Sequence, residues 1–246
     1  HSIEHTREVA REAAIILDVK GINKLNADEV YILLMACYLH DIGMCINQKQ
    51  INREKETSRY NKYIKNNPEN TASDYLRDVH HELSYEFINK RWKELHIENK
   101  YYAEAIALIS KAHRVVDLSD FKEYKIDFFV RPTGRDYVCL PYLGCIIRIA
   151  DELDITNMRI PDLLYKDYLP ENERSREEWE KHKHTFGANC LNDKIIIRAE
   201  TEDRNIYDAL IKMSNKIQRV VNNCQKVVRH IPGDRGLMLN PSIVEK

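Results

Sequence analysis

Tyr31-Ile32-Leu33-Leu34-Met35-Ala36-Cys37-Tyr38-Leu39-His40-Asp41-Ile42-Gly43 is the stretch on which the reading of the fold turns. Residues 31–39 are apolar or aromatic and suit a buried helix, yet the run ends in an imidazole beside a carboxylate. Burying a carboxylate without a partner is unfavourable, and a cation held between such groups removes the penalty. One His-Asp pair proves little by itself. The reading depends on whether other buried helices bring further ligands to their ends.

The composition favours helices to supply them. The chain has 246 residues, enough to bury a full core, with 43% hydrophobic and 31% charged residues but only seven Gly and seven Pro. Lys plus Arg number 38 against 39 Asp plus Glu, so a net charge of −1 makes no global case for a nucleic-acid or membrane partner. No run approaches the roughly 20 apolar residues of a membrane span, and the N-terminus lacks a signal-peptide core; a cytoplasmic location is the expectation. Cys37, Cys45, Cys139, Cys145, Cys190 and Cys224 contain no CxxC pair and read as reduced core residues. The chain begins at His1 rather than Met, which suggests a piece of something longer.

From His5 to Leu17, Val9, Ala13 and Ile16 share a helical face with His5, so its imidazole is expected on the core side. Asn26 with Glu29 resembles a capping box opening a second helix that runs to about Asp41, with Gly43 as its stop. Residues 46–70 are polar and lysine-rich, and read as a long loop or frayed helix; their Tyr60 and Tyr63 are a weak nucleic-acid signal. Helical periodicity resumes from Thr71 to Leu95 with His80 inside it, and Tyr101 to Ala112 is a short apolar helix ending at His113. Pro132-Thr133-Gly134 marks a turn, Pro141 starts another helix, and Asp151 follows Ile147 by one turn. Beyond Pro161 come a charged segment over Glu171 to Lys183, a hairpin over Ala188 to Glu200 turning at Asn192-Asp193, and an amphipathic helix from Ile206 to Val228.

Helix after helix thus presents ligand-type side chains: His5, His40 with Asp41, His80, His113 and Asp151. Their order resembles the HD-domain superfamily of metal-dependent phosphohydrolases, through His5-Thr6-Arg7-Glu8-Val9-Ala10, His40-Asp41-Ile42-Gly43 and Arg148-Ile149-Ala150-Asp151-Glu152-Leu153-Asp154. The resemblance covers roughly residues 1 to 160. It implies that Asp41 bridges two metals, that His5, His40 and Asp151 complete one site, and that His80 and His113 complete the other. By the same resemblance Asp41, His80 and His113 are the catalytic candidates. Arg114 follows His113 and no Gly-Tyr-Pro comes after it, a departure from HD-GYP enzymes that argues against cyclic-di-GMP hydrolysis. A fainter similarity to HD domains joined to Hsp90-like ATPase modules implies a fused or partner ATPase module.

The expected protein is mainly α: an HD-type helical bundle over residues 1–165 and a small α+β appendage over 166–246. Mixed His and carboxylate ligands suit one or two divalent ions of Mn, Fe, Co, Ni or Zn better than Mg alone. The expected substrate is a small phosphomonoester or phosphodiester, in particular of a nucleotide. Lys111, Arg114, Arg148 and Arg159 lie near the ligands in sequence and are candidates to neutralise its phosphate, while Lys111 and Arg114 also suit a helix C-terminus and Arg148 a pair with Glu152. The spacing to Ser84 favours His80 over His81 as the ligand; Asp154 reads as a helix-end residue or as a support for a ligand; His182 and His184 read as surface residues. The same ligand order is met in the superfamily's diiron oxygenases, which stand as one alternative; a nucleotide-sensing regulatory domain of a larger signalling or defence protein, suggested by the missing Met and the C-terminal tail, is a second, and a structural helical domain that binds no metal a third.

Overall fold

The computed structural model describes residues 3–18, 24–114, 116–131, 137–155, 183–191, 194–233 and 235. These residues form helices α1 (Ile3–Asp18), α2 (Ala27–Leu39), α3 (Gln48–Lys55), α4 (Ser58–Asn66), α5 (Ala72–Arg91), α6 (Lys100–Ala112) and α7 (Leu140–Leu153), a hairpin of β1 (Thr185–Leu191) with β2 (Lys194–Ala199), and α8 (Arg204–Arg229). The fold is therefore mainly α with a small α+β part near its C-terminal end, as the composition predicts. Backbone packing divides the chain into one compact unit over Ala27–Gly144 and another over Ser2–Asn26 with Cys145–Lys246. Arg159, His182, the Pro132-Thr133-Gly134 and Asn192-Asp193 turns, most of the charged segment from Glu171 and the expected boundary at residue 165 lie outside the described residues.

In the first unit, α2 buries Ile32, Leu33, Ala36 and Cys37, the three- and four-residue spacing of a core-facing stripe. It ends at Leu39, two residues before the expected end, because Ile42–Met44 tightens into a 3-10 turn in which the Met44 amide donates to the Asp41 carbonyl at 2.9 Å. Glu29, expected in a capping box, accepts the Cys139 backbone amide at 2.9 Å. The lysine-rich 46–70 stretch is two ordered helices rather than a loop. The Asn47 and Gln50 side chains each accept the other's backbone amide, Thr57 caps α4, and these caps outweigh the missing apolar stripe.

Aromatic and ionic contacts then tie α4 to α5. Tyr60 and Tyr63 pack edge-on against buried Tyr75, with centroids 4.8 and 5.1 Å away. Tyr75 donates to Glu54 at 2.5 Å, and Arg59 pairs with both Glu54 and Glu86. Thr71 and Asp74 form the capping box that opens α5, and Asn99 caps α6 by accepting from the amides of Tyr101 and Tyr102.

In the second unit, α1 buries His5, Val9, Ala13, Ile16 and Leu17, so the imidazole lies on the apolar face as its spacing predicts. The cysteine-to-alanine portion of α7 buries Cys145, Ile146, Ile147, Ile149 and Ala150. The hairpin is antiparallel and begins at Thr185, three residues earlier than expected, with an irregularity between Thr185 and Gly187, whose φ of 136° suits a residue without a Cβ. The Asp203 side chain caps α8, which buries Leu210, Ser214, Ile217, Val221, Cys224 and Val228. Lys216 on α8 pairs with Glu152 on α7 at 2.7 Å. The cysteines whose side chains are described are free thiols, and of these only Cys45 is exposed. Among the described residues no single helix is long and apolar enough to cross a membrane.

Glu12, 3% exposed on α1, has one carboxylate oxygen without a hydrogen-bond partner among the described residues. Burial, only partly offset by Arg11, raises its pKa from 4.5 to about 7. A raised folded-state value means that its contribution to stability is full below pH 4.5 and is lost as pH rises through 7. Metal-free Glu12→Gln should therefore match wild type near pH 4 and exceed it by roughly 1–3 kcal/mol at pH 8 in urea unfolding. Equal stability of the two proteins at pH 8 would contradict this.

Candidate metal centre

Three histidines of the first unit are built alike. His40 Nδ1–H donates to the Cys37 carbonyl at 2.9 Å, His80 Nδ1–H to the Arg77 carbonyl at 2.7 Å, and His113 Nδ1–H to the Ser110 carbonyl at 2.5 Å, each acceptor three residues earlier in the chain. These bonds assign the proton to Nδ1 and leave Nε2 as a lone pair. All three Nε2 atoms face the Asp41 carboxylate: His40 lies 3.3 Å from one oxygen, and His80 and His113 lie 3.1 and 3.6 Å from the other. His80 Nε2 and His113 Nε2 are 2.9 Å apart, and the His40 ring stands edge-on to that of His113.

Lone pairs crowded against each other and against a carboxylate repel unless something positive lies among them. Asp41, His80 and His113 are each 5% exposed or less, and their ligand atoms lie within 4.8 Å of one another, close enough to share one ion. Nitrogen and carboxylate donors of this kind suit a divalent transition ion, so the donor set fits the expected metal.

A tight turn carries the pair at its centre. Ser84 Oγ, fully buried on α5, donates to the His40 carbonyl at 2.6 Å and accepts the Gly43 amide at 2.9 Å, clamping the turn that presents Asp41. A Cβ at Gly43 would stand 2.2 Å from the His80 carbonyl oxygen and 2.7 Å from the Ser84 nitrogen, so only glycine lets the turn approach α5 this closely. His80, not its neighbour His81, meets Asp41, as the spacing to Ser84 predicts.

The second unit repeats the pattern with a carboxylate as the clamp. His5 Nδ1 bonds Asp154 at 2.5 Å, which turns Nε2 toward Asp151, 3.4 Å away. A carboxylate that holds the far nitrogen of a ligating histidine fixes its orientation and raises its basicity. Asp154 thus holds the His5 ring in its orientation.

The candidate phosphate-binding residues differ in their surroundings. Lys111 is held by Glu82 and Glu123 at 3.4 and 3.1 Å and lies over the Tyr85 ring, so much of its charge is already matched. The Arg114 guanidinium makes no hydrogen bond or ion pair among the described residues. Arg148 is half-buried on α7. Burial, then the positive surroundings of His80, Arg114 and Lys111, pushes His81 down to about 4. Sequence patterns missed the Ser84 clamp as such: its position was visible, but bonds to residues 41 and 44 positions away were not.

A protein-family model described as HD-CE matches residues 1–229. No curated protein and no solved structure gives a significant match.

Gly43→Ala should lower the unfolding free energy by about 3 kcal/mol or more, because the obstructing atoms are backbone. Ser84→Ala, which strands a buried amide and a buried carbonyl, should cost about 1–3 kcal/mol. Urea unfolding of both variants within about 0.5 kcal/mol of wild type would contradict the clamp.

Proposed function

The chain belongs to the HD-CE family, and from that premise we propose that it is a metal-dependent phosphohydrolase acting on a phosphomonoester or phosphodiester, in particular of a nucleotide. The observation that carries the reading is the convergence of the His40, His80 and His113 lone pairs on Asp41. These four residues would hold a divalent transition ion, and the motif order adds His5 and Asp151 as further ligands. When bound, such an ion supplies Lewis acidity and lowers the pKa of a water, the chemistry that phosphoester hydrolysis needs.

The chain's own residues set up that chemistry. The Nδ1 hydrogen bonds fix the tautomer and the ring orientation of the three imidazoles, so no histidine must reorganise when substrate arrives. Asp41, facing all three Nε2 atoms, supplies the negative charge that would hold the ion among them. Arg114, whose guanidinium makes no ion pair among the described residues, is the proposed phosphate contact, ahead of Lys111 and with Arg148 as a second candidate.

The test is a phosphatase and phosphodiesterase screen over nucleotides, on protein purified without chelator and supplied in turn with Mn, Co, Ni and Fe. Wild type should release phosphate or a nucleoside monophosphate with at least one ion. Asp41→Ala, folded by circular dichroism, should lose roughly 100-fold or more of that rate. Oxygen-dependent turnover without phosphate release would replace the proposal with an oxygenase. Nucleotide binding without turnover under every condition would replace it with a sensing domain.

A further inference from the structure

Cys145 on α7 and Cys224 on α8 lie 79 residues apart in sequence, belong to the same compact unit, and are 0 and 1% exposed. The Cys145 thiol is 3.6 Å from the Cys224 carbonyl oxygen. The Cys145 thiol beside it lowers the Cys224 pKa; burial opposes that shift and the Arg148 charge adds to it. Neither cysteine is part of a His, Cys, Asp or Glu group close enough to hold a metal among the described residues. A buried thiol that reaches the backbone of a second buried cysteine is chemically unlike the isolated thiol that a core usually contains.

We propose that Cys145 and Cys224 form an oxidisable dithiol, which a small peroxide converts to a disulfide tying α8 to α7. In the first step the Cys224 sulfur gives an electron pair to a peroxide oxygen, the O–O bond breaks, and a sulfenic acid forms with release of one water. In the second, the Cys145 sulfur attacks the Cys224 sulfur, the S–O bond breaks, and the departing oxygen leaves as a second water with the Cys145 proton. Two thiols are oxidised by two electrons, and one peroxide is reduced to two waters. Burial makes the first step wait on local opening, so it is slower than oxidation of exposed Cys45. The bond would fasten α8 to the helix that carries Arg148 and Asp151, one and two turns beyond Cys145. A dithiol reductant reverses it.

The full chain, treated with hydrogen peroxide, is quenched, denatured, alkylated and mapped as peptides without reductant. The expected result is one crosslinked peptide pair joining Cys145 to Cys224, the loss of two alkylatable thiols, and the return of both after dithiothreitol. Oxidation of Cys45 in the same sample shows that the dose was sufficient. The proposal is overturned if Cys45 is oxidised while Cys145 and Cys224 are each recovered alkylated, or if either cysteine is crosslinked elsewhere. Cys145→Ser and Cys224→Ser should each abolish the crosslink, and the wild-type map decides the matter if either variant folds poorly.

Discussion

The arrangement rests on one repeated constraint: a histidine whose Nδ1 is tied to the carbonyl three residues before it has only its Nε2 to offer. His40, His80 and His113 all obey it, and each offers that nitrogen to Asp41. Electrostatics makes such a gathering costly without a cation, and burial makes it costlier, since water cannot screen the lone pairs. The same economy of donors appears in the second unit, where Asp154 takes the Nδ1 of His5 and leaves Nε2 toward Asp151.

The scaffold of the first unit serves that gathering. α5 and α6 contribute His80 and His113 near a turn that must come close to α5, and Gly43 with Ser84 makes the approach possible. Away from the centre, the network of Arg59, Glu54, Tyr75 and Glu86 holds two short helices that bury no residue of their own. A desolvated guanidinium matched by two carboxylates and a phenol takes the place of an apolar stripe there, which is why a hydrophobic pattern alone does not reveal those helices.

Much of this is legible in the sequence. The faces of α1 and α2 follow from apolar spacing, and Ser84 identifies His80 over His81 because positions four apart share a helix face. The 46–70 stretch, expected as a loop or a frayed helix, is well-formed helix because its order comes from caps at Asn47 and Thr57 and from tyrosines whose partner, Tyr75, is distant in sequence. Lys111 shows the opposite limit: proximity to His113 in sequence suggested a phosphate contact, while Glu82 and Glu123 occupy its ammonium. The HD-CE match extends to residue 229, across the hairpin and to the end of α8, further than the short motifs alone indicated.

The central claim is that Asp41, His80 and His113 hold a metal ion. Native mass spectrometry of wild type beside the His80→Ala/His113→Ala double variant, each loaded with the same divalent transition metal, tests it most directly. The account predicts that the double variant binds at least one ion fewer per chain, while circular dichroism shows that its helices are kept. An equal ion count in the two proteins, at equal affinity, would contradict it.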